Sequence, residues 1–183
     1  MLTSIARPFQ TGSAQAEVSG RLILAMLNHP EQVQMTTILP GLTPNIFQAH
    51  EWYKFQSFLD ILRHLSDTLG SGAISYFVAS GRACAAHIGP LASPASPEAL
   101  IERLPRLYGL TVRHAPVGEG IMVARQTAQD YHIYDNTPWP DAAMYGFLWG
   151  LIQHTTAESF IVERQQPADD SLGSLYHVRW GHD

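Results

Sequence analysis

The hydrophobic period of this sequence changes after Gly109, and that change limits the possible folds more than any other feature. Before Gly109 the apolar residues recur at helical spacing, and after it most segments alternate apolar and polar residues as in β-strands, with one helical stretch among them. We predict four helices in the first part, over Ala14–Asn28, His50–Leu69, 71–88 and from Ser96 to Tyr108. For 71–88 a strand is the alternative, because Ile74, Tyr76 and Val78 are typical of strands.

The second part of the sequence predicts a regular succession of strands around one helix. We predict strands over Ile121–Gln126, Tyr131–Asp135, Phe160–Arg164 and Leu175–Trp180, with a helix over Asp141–His154. Such segregation predicts an α+β domain, with N-terminal helices packed on a C-terminal antiparallel sheet of about four strands and one helix inserted between two hairpins. In the last strand Tyr176, Val178 and Trp180 should face one way, and His177 and Arg179 the other.

The length of the chain bounds the number of domains. At 183 residues it is long enough for one domain with its own core. Residues 1–13 carry Pro8 and Gly12 among small polar residues, which predicts a flexible N-terminal arm ahead of a single domain over 14–183. The turn-rich segment from Leu39 to Pro44 predicts a connector between the first two helices.

Composition and charge exclude several classes of function. The net charge is −5 and no basic stripe occurs, so the footprint of a nucleic-acid-binding protein is missing. No apolar run approaches the ~18 residues that a membrane span needs. Cys84 is the only cysteine, which excludes a disulfide or a multi-cysteine zinc site within the chain. We therefore expect a cytoplasmic protein, and its low charged fraction of 15% favours a homodimer.

Two stretches resemble a known superfamily. Thr137-Pro-Trp-Pro-Asp-Ala-Ala-Met-Tyr-Gly-Phe-Leu-Trp-Gly-Leu-Ile152 leads to the strand Leu175-Tyr-His-Val-Arg-Trp180, and the earlier Gly41-Leu-Thr-Pro-Asn-Ile-Phe47 precedes Trp52-Tyr53 and an amphipathic helix. These patterns of glycine, proline and aromatic residues, over about 18–181, resemble the vinyl-reductase-like (hydrocarbon-binding) and haem-nitric-oxide-binding-like domains. Those domains share a fold with TRAPP-type tethering subunits. The resemblance implies a domain that binds a small molecule.

The sequence departs from that superfamily at the cysteine positions and at the haem-binding signature of the relatives. Many relatives carry cysteines near the start of the last helix and before the final strand, where this chain has Asp141 and the segment Ser171–Ser174. The Tyr-x-Ser-x-Arg signature of the haem sensors does not occur. The resemblance therefore implies no cysteine-based metal site. Haem remains a candidate cofactor, although the sequence lacks the signature of the haem sensors.

Candidate ligand-binding residues follow from small and aromatic residues on the predicted helices. Gly146 and Gly150 share one helix face, which favours either close helix packing or room for a ligand beside two tryptophans. The ligand-binding set that we predict is Phe77, Gly81, His87, Trp139, Gly146, Trp149 and Gly150. For Gly146 and Gly150, close approach of this helix to the sheet or to a neighbouring helix is the account that we favour.

The nine histidines show no metal-binding spacing, and only two lie in apolar surroundings. His87 and His132 are therefore the candidate haem ligands, each with a structural histidine as the alternative. Asp130, His132 and Tyr134 would lie on one strand face, where an acid beside a histidine could orient a general base. A solvated polar strand face is the alternative for this trio. Cys84, three residues before His87, is more typical of a buried apolar residue than of a nucleophile.

Three functions are compatible with these residues. We favour a sensor or carrier that binds an apolar or aromatic ligand, a tetrapyrrole among the candidates, and signals through a partner protein or a dimer interface. The alternatives are an assembly subunit without a ligand, and an enzyme that uses His132 or His87 as an acid/base on a hydrophobic metabolite.

Overall fold

The computed structural model describes residues 7–27, 46–88, 96–155, 159–165 and 173–181. The predicted connector from Leu39 to Pro44 lies outside these residues. The helices are α1 (Gly20–Leu27), α2 (Phe55–Leu69), α3 (Ala73–Ile88), α4 (Pro97–Ile101), α5 (Leu104–Thr111) and α6 (Asp141–Gln153), with a 3₁₀ turn at Gly70–Gly72 between α2 and α3. The strands are β1 (Glu17–Ser19), β2 (Trp52–Lys54), β3 (Val112–Arg113), β4 (Gly120–Thr127), β5 (Asp130–Asn136), β6 (Phe160–Gln165) and β7 (Ser174–Trp180).

The strands of the C-terminal part form one antiparallel sheet in the order β4-β5-β7-β6, with α6 inserted between its two strand pairs. This arrangement confirms the predicted α+β fold. Alternation along β7 is also confirmed, because Tyr176, Val178 and Trp180 are buried whereas His177 and Arg179 are half-buried on the opposite face. Side chains that alternate between the two faces of these strands give the sheet an inner face toward α6 and an outer face away from it.

Two helix starts were predicted wrongly for the same reason. Residues 17–19 and 52–54, which we expected inside helices, form β1 and β2, which pair with β3 in a second sheet in the order β2-β1-β3. Their apolar residues fit a helical period, but pairing between distant segments gives them extended structure. Helix α1 therefore begins at Gly20 and α2 at Phe55.

Other helix boundaries follow their local chemistry. Segment 71–88 is helical from Ala73, so the helix that we favoured there is confirmed. Gly70 ends α2 with φ 54°, a left-handed conformation that suits glycine. Ser96 caps α4 by accepting a hydrogen bond from the backbone N–H of Ala99 at 3.3 Å. The single helix expected up to Tyr108 is two helices, because α4 ends at Ile101 and α5 begins at Leu104.

Helices α3 and α6 pack closely because each contributes glycine to the contact. A Cβ on Gly81 would lie 2.0 Å from the carbonyl oxygen of Ala143, and one on Gly146 would lie 2.2 Å from that of Val78. One on Gly150 would meet the Cβ of Ala85 at 3.0 Å. Close helix approach therefore explains the glycines of α6, and the inner sheet face packs on the other side of this helix.

Residues 7–13 of the predicted arm contact the body of the domain. The backbone N–H of Phe9 donates to Pro138 at 2.8 Å, and Arg63 donates to the carbonyl oxygen of Phe9 at 2.7 Å. The Phe9 ring lies 5.9 Å from that of Phe77. The boundary between arm and domain stays a prediction. None of the helices in the described ranges is both long and apolar enough to cross a membrane.

Candidate functional site

An apolar pocket of about 70 Å³ lies where the helices meet the first strand of the sheet. Its walls come from α1, α3, α5, β4 and α6, and from Trp139 just before α6. The lining residues are Leu22, Met26, Gly81, Cys84, Leu107, Tyr108, Thr111, Ile121, Trp139, Ala143, Met144 and Phe147. Trp139 is fixed by the rings of Phe55 and Phe58, at 4.8 and 6.2 Å between centroids.

The few polar groups that line the pocket already have hydrogen-bond partners. The Thr111 hydroxyl donates back to carbonyl oxygens of its own helix, with Tyr108 at 3.0 Å and Leu107 at 3.2 Å. The Tyr108 hydroxyl donates to Glu119 Oε1 at 2.6 Å. Because a buried water needs two to four polar partners, this pocket suits an apolar group better than water.

A larger cleft of about 570 Å³ adjoins the apolar pocket. Tyr108 and Ile121 line both spaces and so form the wall between them. Most of the remaining lining is the segment from Arg113 to Gly120, in which His114 has a φ of 59° and Gly118 a φ of 92°. Left-handed backbone at a non-glycine residue is uncommon and often accompanies a functional loop.

Two residues that line the apolar pocket, Tyr108 and Cys84, have side-chain pKa values raised well above the ordinary ones. Burial raises the pKa of the Tyr108 hydroxyl, and the negative charge of Glu119 beside it adds to the shift. Burial likewise raises the pKa of the Cys84 thiol. Both groups are therefore protonated at neutral pH, and the Cys84 thiol is not activated as a nucleophile.

Only part of the predicted ligand-binding set lies at the pocket. Gly81 and Trp139 line it, whereas Gly146 and Gly150 lie in the α3–α6 contact. Phe77 is buried against Tyr76. Trp149 lies beneath the guanidinium of Arg82, 4.2 Å from its ring centre. The sequence offered no signal for Leu22, Thr111 or Ile121, because these lining residues meet only through the tertiary fold.

The two histidines predicted as haem ligands lie on different elements, and neither lines the apolar pocket. His87 is exposed near the end of α3, with Nδ1 3.3 Å from the carbonyl oxygen of Ala83. His132 lies on the outer face of the sheet, its ring 5.1 Å from that of His177. The prediction that His87 lies in apolar surroundings is therefore wrong. The residue lies in helix α3, but its side chain is exposed.

The trio on β5 shares a face as predicted, and the structure adds a fourth side chain. His177 Nε2 and Asp130 Oδ1 are 2.7 Å apart, a contact made across the β5–β7 pair. Tyr134 lies further along the same face, opposite Leu175. The sequence analysis missed His177 because the register between β5 and β7 decides which residue lies opposite His132. That register cannot be read from the sequence.

The comparisons with known proteins give one consistent answer at the level of fold. No family model matches the sequence, and no curated protein is significantly similar to it. Solved structures do match, and several of them are H-NOX proteins. The Fe(II)NO form from S. oneidensis superposes with a TM-score of 0.62 at 10% identity, covering 90% of this chain and 99% of that one.

The unliganded Fe(II) H-NOX protein from K. algicida gives a TM-score of 0.57 at 14% identity, covering 90% of this chain and 97% of that chain. The H-NOX of Shewanella woodyi, bound to IWP-051, gives 0.59 at 14% identity, covering 87% and 93%. The chain has an H-NOX-like fold. At these identities the likeness is one of fold, and the links to vinyl-reductase-like domains and TRAPP-type subunits stay predictions.

Haem, the group that an H-NOX-like fold implies, does not fit the described residues of this domain. Its pocket of about 70 Å³ is far below the roughly 300–1,000 Å³ typical of ligand sites. No histidine lines it among the described residues. Cys84 and Tyr108 do, but haem iron binds a thiolate or a tyrosinate, so either residue would have to lose a proton whose pKa burial raises. Met26 and Met144 remain, and methionine serves as a haem ligand together with histidine.

Proposed function

We propose that this H-NOX-like domain is a small-molecule sensor that binds the apolar end of its ligand in the pocket and the polar end in the adjoining cleft. The observation that carries this proposal is the position of Tyr108 and Ile121, which separate an apolar pocket from a larger, more polar space. The H-NOX-like fold supports the sensor role by analogy, and the described residues favour an apolar or aromatic ligand over a tetrapyrrole.

The size of the pocket argues that the ligand extends beyond it. A pocket of about 70 Å³ is about half the volume of an engineered apolar cavity that binds benzene, so it holds two or three non-hydrogen atoms. Very small ligands gain at most about 1.5 kcal/mol per such atom, which corresponds to a dissociation constant of about 1 mM. Tighter binding requires further contacts, and the adjoining cleft provides the volume for them.

Displacement of the Tyr108 ring would convert binding into a structural change. Glu119, which accepts the Tyr108 hydrogen bond, also accepts bonds from the Thr11 hydroxyl at 3.3 Å and from the Gly12 N–H at 3.2 Å. A ligand that passes between pocket and cleft must move this ring and therefore disturb the anchor of residues 11–12. We propose that this change in the N-terminal segment shifts the equilibrium between two conformations of the domain. A second copy of the chain or a partner protein would bind one of these conformations preferentially.

The first experiment asks what the protein carries when it is purified. We expect an absorption spectrum without a Soret band, and native mass spectrometry showing either the bare chain or a bound mass smaller than haem. A Soret band with a stoichiometric haem mass would contradict the size argument and return the domain to the haem-binding class.

The second experiment uses straight-chain primary alcohols from ethanol to octanol as probes, because each has an apolar end and one hydroxyl. We expect the thermal shift at a fixed concentration to rise with chain length. Ala143→Leu, which places a larger side chain in the pocket, should reduce the thermal shift by at least about threefold. Ala142→Leu is the same substitution at the neighbouring residue, which does not line the pocket, and it should not reduce the shift. Equal shifts in wild type and Ala143→Leu would refute binding in the pocket.

A further inference from the structure

A compact set of metal-ligand side chains lies on the outer face of the four-stranded sheet, away from the apolar pocket. Asp130 and His132 come from β5, and His177 comes from β7, directly opposite His132 in the strand register. One ligand atom from each of the three residues lies within 4.8 Å of the others. All three residues are half-buried on paired strands, so little conformational freedom remains to be lost on binding.

The distances within this set match those between ligands of one ion. His177 Nε2 and Asp130 Oδ1 are 2.7 Å apart, and the ring of His132 stands edge-on to that of His177 with centroids 5.1 Å apart. Ligands bound at about 2.0–2.1 Å to a tetrahedral ion lie about 3.3 Å from one another. The His177–Asp130 pair would have to open slightly to admit an ion, and the His132 ligand atom, within 4.8 Å of the other two, would have to move closer.

A further side chain supports His177 from the opposite edge of its ring. Gln165 on β6 has its Nε2 3.4 Å from His177 Nδ1. In the metal-free arrangement, His177 Nε2 donates to Asp130 and Nδ1 accepts from Gln165. With an ion on Nε2, the ring would carry its proton on Nδ1, and this N–H would donate to the Gln165 amide oxygen once that amide had turned over. Such a partner on the second ring nitrogen orients metal-binding histidines in general.

The charges around the set favour a cation. Asp130 lies opposite Arg179 in the strand register, and the carboxylate residue Glu163 lies opposite His177. Arg179 Nη2 lies 3.9 Å from Glu163 Oε2, which offsets much of the repulsion that this arginine would exert on an ion. Two imidazoles and a carboxylate are the donor set of three-ligand sites for zinc and neighbouring transition ions, in which water takes the remaining position.

We propose that Asp130, His132 and His177 form a binding site for one divalent transition ion of the zinc class, with Gln165 as the positioning residue behind His177. The site is built on residues and on a sheet face that the ligand pocket does not use. A plain hydrogen-bonded Asp–His pair on a solvated face would have the same metal-free geometry, so the decisive property is affinity for the ion.

The test is calorimetric titration of Zn²⁺ into the chelator-treated chain without an affinity tag. We expect one ion per chain, and an affinity roughly 100-fold or more weaker in His132→Ala and in Asp130→Asn. His64→Ala and His154→Ala, which remove exposed histidines elsewhere, serve as matched controls and should bind as wild type. Circular dichroism melting checks that each variant is folded, and His132→Ala removes a residue outside the core.

A spectroscopic measurement identifies the ligands independently of affinity. Co²⁺ in place of Zn²⁺ should give a visible absorption band typical of nitrogen and oxygen ligands, and the band should be lost in His132→Ala. The proposal fails if Zn²⁺ binds no better to wild type than to His132→Ala and Asp130→Asn, or if the control variants lose as much affinity as these do. The pocket-filling Ala143→Leu should bind Zn²⁺ as wild type, so failure of the ligand proposal and failure of this one are distinguishable.

Discussion

Strand β5 carries two aspartates that lie on opposite faces of the sheet, Asp130 on the outer face and Asp135 on the inner face. Their environments differ, because one is partly exposed and the other is buried. Asp130 on the outer face accepts a hydrogen bond from His177 and remains partly exposed, with 26% of its side chain accessible. Asp135 on the inner face is buried, and its Oδ1 accepts a hydrogen bond from the backbone N–H of Thr137 at 3.1 Å. The outer aspartate is free to take part in chemistry, whereas the inner one is part of the packed core.

Burial of the inner aspartate has a consequence for stability. Loss of hydration raises the pKa of Asp135 to about 7, and the nearby negative charge of Asp141 adds to the shift. Its hydrogen bond from Thr137 opposes the shift without cancelling it. The folded protein therefore holds a proton on Asp135 at pH values where the unfolded chain has lost it.

The largest effect that we predict comes from Asp135→Asn. A raised folded-state pKa means that the stabilising proton is fully present below about pH 4 and that stability falls as the pH rises toward 7. Asn removes this dependence, so the variant should be more stable than wild type by up to about 4 kcal/mol at pH 8 and nearly equal to it at pH 4. Urea unfolding at a series of pH values measures the difference.

A matched variant on the outer face sharpens this comparison. Asp130→Asn, made on the same strand, should leave the free energy of unfolding in urea at pH 8 within about 0.5 kcal/mol of wild type when no metal is present. A pH profile of Asp135→Asn that stays parallel to that of wild type would show that Asp135 is ionised in the folded protein.

The second largest effect should come from Gly146→Ala, which tests the tight contact behind the inner face. The added methyl group would meet the backbone of Val78 at 2.2 Å, and backbone cannot move aside as a flexible side chain can. We expect a loss of about 3 kcal/mol in the free energy of unfolding, measured in urea. Gly109→Ala is the control, because nothing lies within 4 Å of its added Cβ in α5 and helix propensity should stabilise it by about 1 kcal/mol.

The sequence predicted the inner face better than the outer one, for a physical reason. Burial imposes alternation on β7, so Tyr176 and Val178 were predicted to share one face of the strand from their spacing alone. The outer face carries no such constraint, and the partner of His132 depends on the register between β5 and β7. Register comes from the inner-face packing and not from His177 itself.

The pocket was the hardest feature to predict. Gly81 and Trp139 were singled out as small and aromatic residues, but the remaining walls come from five elements spread between Leu22 and Phe147. Strands β1 and β2 were missed because their pairing joins segments that are distant in sequence. A helical period therefore identified α2 and α3 correctly, while the contacts that shape the pocket required the tertiary fold.

The last prediction separates the two faces most directly, because it compares a large and a small effect at neighbouring residues of one strand. Ile133→Ala should cost about 3 kcal/mol, since Ile133 is fully buried on the inner face and the change leaves a cavity. His132→Ala, one residue away on the outer face, should change the free energy of unfolding by no more than about 0.5 kcal/mol in metal-free buffer. With Zn²⁺ at 100 times its dissociation constant, wild type should gain about 2.7 kcal/mol and His132→Ala almost nothing. A large loss for His132→Ala without metal would instead mean that the outer cluster belongs to the structural core, because its contribution would then be independent of any ion.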